Sequence, residues 1–231
     1  MLRPSPSLLL QAYAMGLFPM AESGSDQGEL MWFDPDPRGI LPLDGLIIPR
    51  RLRRLVRQGR FVITADTAFE VVIAACAETT PIRPNTWINR DIARLYTALH
   101  QRGFAHSIEV RHEDRLVGGL YGVALGRAFF GESMFSREAN ASKVALVHLV
   151  ARLRAGGFTL LDTQFLTAHL ARFGAVEIPK DEYHRRLAAA LVGPADFSLG
   201  DDDRSAVAAV LAQAQALGQN QTDPTPDHPA D

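Results

Sequence analysis

Between residues 105 and 164 the hydrophobic period of the chain changes from strand to helix and back, and that order restricts the available folds more than any other feature. Residues 106–111 and 116–125 read as strands, and His112-Glu113-Asp114-Arg115 between them has the make-up of a hairpin turn. Gly126-Arg127 is a second tight turn ahead of a strand over residues 128–133. The period then lengthens. From Asn140 or Ala141 to Ala155, the residues Leu146, Leu149, Val150 and Leu153 recur at helical spacing, and Gly156-Gly157 ends the helix. Residues 158–162 follow as a buried strand. A meander of antiparallel strands, one helix and a further strand predicts a mixed α/β (α+β) sandwich.

Upstream, residues 7–15 predict a short helix with Ser7 as N-cap and Leu8, Leu9, Ala12 and Met15 on one stripe. Residues 21–38 are rich in Gly, Ser, Asp and Pro, which places Met31-Trp32-Phe33 on a loop. Pro49 opens a basic helix whose apolar stripe is Leu52, Leu55 and Val56 and which stops at Gly59. Arg50, Arg51, Arg53, Arg54, Arg57 and Arg60 fill its other faces, and no acid appears between Asp44 and Asp66. A solvated surface helix normally mixes signs, so this face is read as one that binds a polyanion. A strand over residues 61–64, a helix over 67–77 and a helix over 89–101 follow, the last with Ile88, Ile92, Leu95, Tyr96 and Leu99 on one face and Trp87 at its entrance. Helices are also expected over residues 181–191 and 201–217, and residues 218–231 carry too little apolar surface to order.

Cys76 is the single cysteine, which excludes an internal disulfide framework and any multi-cysteine metal site. No apolar run approaches the roughly 20 residues of a membrane span, so the protein is expected in the cytoplasm with no membrane partner. The net charge of −2 hides an asymmetry. Residues 196–231 hold seven acids and one base, whereas the body up to 195 keeps 23 bases against 19 acids. Of the 24 bases 22 are arginine, whose planar fork suits phosphate better than an ammonium does.

Chemistry is expected where ionisable groups end apolar runs. Asp162 and Gln164, two apart on a strand, project to one side. An acid beside an amide suits a reaction in which an amine must lose a proton and be aimed. The structural alternative is that Asp162 caps the 167–172 region. Glu132, in Gly131-Glu132-Ser133-Met134-Phe135-Ser136, either serves a site or pairs with Arg127 or Arg137 at a sheet edge. The glycines of Val117-Gly118-Gly119-Leu120-Tyr121-Gly122 at strand spacing mean close backbone approach. There is no HExxH, no GxSxG elbow and no phosphate-loop lysine, and the seven histidines lack metal-ligand spacing.

Several segments, in unbroken order from about residue 8 to 190, carry a joint resemblance. They are Ala12-Tyr13-Ala14-Met15-Gly16-Leu17-Phe18-Pro19, Trp32-Phe33-Asp34-Pro35-Asp36-Pro37-Arg38, Thr86-Trp87-Ile88, His106-Ser107-Ile108-Glu109-Val110, the glycine-rich segment from Leu116, the segment around Glu132, and Asn140-Ala141-Ser142-Lys143. Together they resemble the leucyl/phenylalanyl-tRNA–protein transferase family. The resemblance implies a small N-terminal domain over residues 1–60 and an acetyltransferase-like (GNAT) catalytic domain over 61–217, ahead of the tail over 218–231, acting as a monomer. It implies transfer of leucine or phenylalanine from leucyl- or phenylalanyl-tRNA to proteins beginning with Arg or Lys, which marks them for N-end-rule degradation. No metal, nucleotide or coenzyme is implied, because the aminoacyl ester carries the energy.

By position in the motifs, Asp162 would polarise or deprotonate, Gln164 would orient the attacking amine, and Glu132 would hold polar groups of the aminoacyl end. Trp32, Phe33 and Trp87 would flank the terminal adenosine. Leu120, Phe129 and Met134 would take the amino-acid side chain, and the six arginines would face tRNA phosphates. Strict alternation sends Phe129 and Glu132 to opposite faces, so both serve one site only if the strand bulges or the site wraps its end. Two rivals are a coenzyme-A-dependent acetyltransferase, which needs a glycine-rich pyrophosphate loop that residues 136–141 lack, and a non-catalytic RNA-binding module, which leaves Asp162, Gln164 and Glu132 without a task.

Overall fold

The computed structural model describes residues 4–22, 29–80, 84–198 and 203–220. Its frame is a seven-stranded sheet of order β4-β5-β6-β7-β8-β3-β9. The strands are β3 (Arg38–Ile40), β4 (Val62–Ala65), β5 (Ala105–His112), β6 (Arg115–Leu125), β7 (Ala128–Ser136), β8 (Leu160–Gln164) and β9 (Val176–Ile178). Every neighbouring pair is antiparallel except β7 and β8, which run parallel. The parallel pair needs a crossover, supplied by α5 (Ala141–Ala155), so the expected meander, helix and further strand are all present. A separate hairpin pairs β1 (Phe18–Ala21) with β2 (Leu30–Phe33). Met31-Trp32-Phe33 therefore stands on a strand and not on a loop. The register Pro19↔Trp32 and Phe18↔Phe33 shows why: the aromatic residues pair with the equally apolar β1, a long-range partner that local composition does not reveal.

Both faces of the sheet are covered. On one lie α2 (Arg50–Arg57), α5, the short α6 (Ala168–Ala171) and α8 (Asp203–Asn220), around Leu52, Leu146, Val150, Phe129 and Leu211. On the other lie α1 (Pro6–Ala14), α3 (Phe69–Ala77), α4 (Arg90–His100) and α7 (Lys180–Ala190), around Tyr13, Val72, Tyr96, Tyr121 and Tyr183. The helix stripes read from sequence are the buried ones in α4 and α5, with Asn89 capping α4 by accepting from the Ile92 N–H at 2.9 Å. In α1 the register differs from the expected one. Ser5 is the N-cap with Pro6 in the first turn, and Leu9, Ala12 and Tyr13 face inward while Leu8 and Met15 are exposed. Gly218–Asn220 continue α8 instead of starting the tail, and residues 221–231 lie outside the described residues. Among the described residues no helix is long and apolar enough to cross a membrane.

The glycines of β6 do permit close approach. A Cβ at Gly118 would lie 2.5 Å from the Ala141 Cβ, and one at Gly122 would lie 2.3 Å from the Phe130 carbonyl oxygen. Gly118 thereby seats the start of α5 on the sheet. Gly118→Val is expected to destabilise by about 1–3 kcal/mol through overpacking against backbone, checked by thermal unfolding.

Candidate active site

Strands β7 and β8 pair only over Ala128↔Leu160, Phe129↔Leu161 and Phe130↔Asp162, and then part. Two irregularities flank the parting. Against β6 the register runs Tyr121↔Ser133 and then Gly122↔Gly131, so Glu132 is an extra residue on β7. Against β3 it runs Gly39↔Gln164 and then Ile40↔Asp162, so Thr163 is an extra residue on β8. Bulges bend a strand and re-aim its side chains. Here the first puts Glu132 on the side of Tyr13 and Tyr96 and Met134 on the side of Leu146 and Leu149. The second ends in Gln164 at φ 64°, a left-handed backbone uncommon outside glycine.

Between the parted strands lies a cavity of ≈ 830 Å³. Its apolar part is made by Leu120, Met134, Leu146, Leu149, Leu161 and Leu170, and its polar wall by Glu132, Ser133 and Gln164. Met20, Trp87 and Phe165 line the hairpin side, and Thr163 on β8, Thr167 after it and His169 on α6 add polar groups.

The polar wall is part of a buried network. Glu132, 9% exposed, accepts at Oε1 from the Tyr13 hydroxyl (2.6 Å) and the Gln164 side-chain amide (3.0 Å), and at Oε2 from the Tyr96 hydroxyl (2.9 Å). The two tyrosine hydroxyls also meet each other. Burial pushes the Glu132 carboxyl up to about 7, with a further push from the Asp162 charge, although hydrogen bonds from Tyr13, Tyr96 and Gln164 pull the other way. Burial and the Glu132 charge hold both phenols well above their ordinary value, so they stay protonated donors.

Asp162 is fully buried and tied to Arg38 by two bonds, Nε to Oδ1 at 3.0 Å and Nη2 to Oδ2 at 2.6 Å. The Gln164 backbone N–H donates to Oδ1 (2.7 Å) and the Tyr183 hydroxyl to Oδ2 (2.7 Å). Arg38 is also fully buried, donates to the Gly16 carbonyl (2.9 Å), and lies over the rings of Tyr183 (4.2 Å) and Phe18 (4.8 Å). Burial works against the Arg38 charge, but the hydrogen bonds and charge of Asp162 outweigh it and keep the guanidinium above its usual range.

The structural alternatives for the two acids do not hold. Thr167, not Asp162, caps α6 by accepting from the Leu170 N–H (3.2 Å). Arg127 donates to the Gly157 carbonyl and Arg137 pairs with Glu78, so neither meets Glu132. Of the expected side-chain pocket, Leu120 and Met134 line the cavity. Phe129 does not: it shares the face of that apolar lobe but lies further back along β7, where β7 and β8 are still paired, and it is buried there against Phe158 and Phe197 (ring centroids 6.2 and 5.6 Å). Of the expected adenosine residues, Trp87 lines the cavity, Trp32 is 37% exposed on β2, and Phe33 stacks on Phe18 at 5.9 Å. The arginines lie away from the cavity. Arg50, Arg51, Arg54, Arg57 and Arg60 are exposed, while Arg53 is half-buried and donates to the Ala214 carbonyl at 3.0 Å.

Sequence reading missed Arg38, Tyr183, Tyr13 and Tyr96 as parts of the site. Tyr13 and Arg38 stand inside segments singled out above, and the signal was there for Tyr13, which lies on the same helical stripe as Leu9 and Ala12. Arg38 gave none, because arginine is seldom fully buried.

Comparison with known proteins identifies the family. Residues 40–188 match the family model described as leucyl/phenylalanyl-tRNA protein transferase, and residues 3–36 match that of its N-terminal domain. A leucyl/phenylalanyl-tRNA–protein transferase of Cereibacter sphaeroides is 59% identical over 194 residues, covering 84% of this chain and 88% of that protein. One of Phenylobacterium zucineum is 61% identical over 189 residues, covering 82% and 85%. One of Paramagnetospirillum magneticum is 58% identical over 209 residues, covering 90% and 97%. Among solved structures, the C-terminal domain of a putative lysylphosphatidylglycerol synthetase from Agrobacterium fabrum is a distant likeness, with TM-score 0.38 and 12% identity over 94% of this chain and 70% of that one. By two family models and by relatives at this identity, the chain belongs to the leucyl/phenylalanyl-tRNA protein transferase family.

Proposed function

We propose that this protein transfers leucine or phenylalanine from aminoacyl-tRNA to the α-amine of acceptor proteins beginning with Arg or Lys, forming a peptide bond and an N-end-rule degradation signal. One observation carries the reading: a single cavity joins an apolar lobe to a wall bearing a carboxylate and an amide, in a chain of this family. An aminoacyl ester has those same two parts. Its side chain fits the lobe of Leu120, Met134, Leu146 and Leu149, which accepts leucine or phenylalanine because neither brings a polar group that would go unpaired there. Its carbonyl then lies at the wall of Glu132 and Gln164.

The Gln164 amide nitrogen is engaged with Glu132, which turns its oxygen into the acceptor for the incoming amine. Asp162 fixes that geometry by accepting from the Gln164 backbone N–H, and so polarises the site without touching the amine. Trp87 at the cavity and Trp32 on the hairpin, with Phe33 behind, flank the terminal adenosine, a contact worth roughly 1–3 kcal/mol per stacked base. The exposed arginines of α2, with Arg60 beyond its end, meet tRNA phosphates. The acceptor's second requirement, an N-terminal Arg or Lys, is part of the same proposal, as are a monomeric enzyme and a cytoplasmic setting where charged tRNA is found.

The mixed sheet, whose parallel central pair parts to open a cavity, supports a GNAT-like catalytic unit over residues 61–217. The 1–60 unit would join it through β3, the sheet strand that carries Arg38.

Purified protein given phenylalanyl-tRNA and a peptide beginning with Arg is expected to yield the Phe-Arg peptide without ATP or added metal, read by mass spectrometry. No product at low salt, beside a working control enzyme, would remove the assignment. Replacing Arg50, Arg51, Arg53 and Arg54 by Ala is expected to weaken tRNA binding and to flatten the slope of log K against log salt by roughly 0.7–0.9 for each phosphate that is no longer neutralised. An unchanged slope would make α2 an ordinary solvated helix.

A further inference from the structure

Asp162 and Glu132 are both buried carboxylates beside the cavity, and their hydrogen bonds separate them. A carboxylate oxygen has two lone pairs. At Asp162 all four positions are taken: Arg38 Nε and the Gln164 N–H on Oδ1, Arg38 Nη2 and the Tyr183 hydroxyl on Oδ2. Asp162 has no exposed surface and does not line the cavity. At Glu132 two are taken on Oε1, by Tyr13 and Gln164. On Oε2, among the described residues, Tyr96 takes one. One lone pair of a cavity-lining carboxylate is therefore open to a ligand.

We propose that Glu132 is the general base of the transfer, taking the proton of the attacking α-amine at Oε2 and returning it to the ribose oxygen that leaves. The proposal rests on the transfer reading above. The neutral amine's lone pair forms the C–N bond at the ester carbonyl carbon, and the N–H proton passes to Glu132. The bond from that carbon to the ribose oxygen breaks with its electrons on oxygen, which receives the proton from Glu132. An amide and a ribose hydroxyl result, Glu132 ends as it began, and no co-reactant is needed.

Three features fit the role. Gln164 presents its amide oxygen to the amine from the same wall, so aiming and proton removal fall to adjacent groups, the weaker base doing only the aiming. The groups facing Glu132 are Tyr13 from α1, Tyr96 from α4, Gln164 from β8 and, through Gln164, Asp162 with its charge balanced by Arg38; His169 of α6 also lines the cavity, and burial with the charges of Lys143 and Arg172 holds it below its usual range. No cation among these bonds to the carboxylate, so burial dominates and a carboxyl near 7 can both accept and return a proton at neutral pH. Tyr13 and Tyr96 are positioning residues: as protonated donors they hold the carboxylate across the bulge, and Tyr96 is itself held edge-on by Tyr121 at 5.4 Å.

The test is single-turnover transfer from phenylalanyl-tRNA by the full-length protein, saturating in both substrates, from about pH 5.5 to 9. Two acceptors are compared, a peptide starting with arginine and one starting with β-fluorinated arginine, whose α-amine is more acidic. Besides the limb set by the acceptor's own amine, which moves between the two peptides, the expected profile has a limb that rises with pH through about 7 and does not move. Glu132→Gln should remove that limb and slow transfer by about 10²–10⁴-fold, while phenylalanyl-tRNA binding stays within about twofold. A profile with no limb beyond the one that follows the acceptor's amine, or a fixed limb that survives in Glu132→Gln, overturns the proposal alone. Should Glu132→Gln not fold, the wild-type comparison between acceptors still decides. Absence of transfer by the wild type at every pH would instead overturn the function on which the proposal rests.

Discussion

The buried pair of Arg38 and Asp162 holds this molecule's site together. Its partners come from segments far apart in sequence: the Gly16 carbonyl after α1, Phe18 on β1, Arg38 on β3, Asp162 on β8 and Tyr183 on α7. Two charges removed from water are costly, and they persist only where their lone pairs and protons are matched. Here the carboxylate has four donors, and the guanidinium has the carboxylate, a carbonyl, a hydroxyl and two aromatic faces. The pair draws the N-terminal segment onto the catalytic sheet. It also fixes the carboxylate that holds the Gln164 backbone in its left-handed turn.

From that fixed point the cavity follows. The β8 backbone turns away after Asp162, the β7 backbone bulges at Glu132, and the parallel pair cannot continue. The gap exposes an apolar lobe from one face of the sheet and a carboxylate from the other, which strict alternation along one strand would not place in a common space. The two acids thus differ in kind. Asp162 is spent on structure, whereas Glu132, held by neutral donors, keeps a lone pair and an intermediate proton affinity.

Much of the frame was legible in the chain because it depends on local period and turn chemistry. The strands on either side of Glu113-Asp114, the α5 crossover and the stripe of α4 are of this type. What was not legible depends on long-range pairing. Arg38-Gly39-Ile40 is too short to show alternation, yet it is a strand because β8 and β9 lie on either side of it. Trp32 sits in a polar stretch and forms a strand through Pro19. At the site, the choice of Glu132, Asp162 and Gln164 as candidates came from sequence, and the family resemblance is matched by the relatives. The division of labour did not, since it turns on which lone pairs Arg38 and Tyr183 occupy. Phe129 lies outside the cavity for a related reason: it is on the lobe's own face, but at a point where β7 still pairs with β8, and where those strands part is not written in the local pattern.

The dependence of the site on the buried pair is tested most directly by a double-variant cycle at Arg38 and Asp162, read by thermal unfolding and by transfer rate. Arg38→Met alone leaves Asp162 buried without its counter-charge and should lose about 3–5 kcal/mol of stability. Arg38→Met combined with Asp162→Leu should recover most of that stability yet transfer slowly, because nothing then holds the Gln164 backbone. A stable double variant that transfers at the wild-type rate would contradict the account.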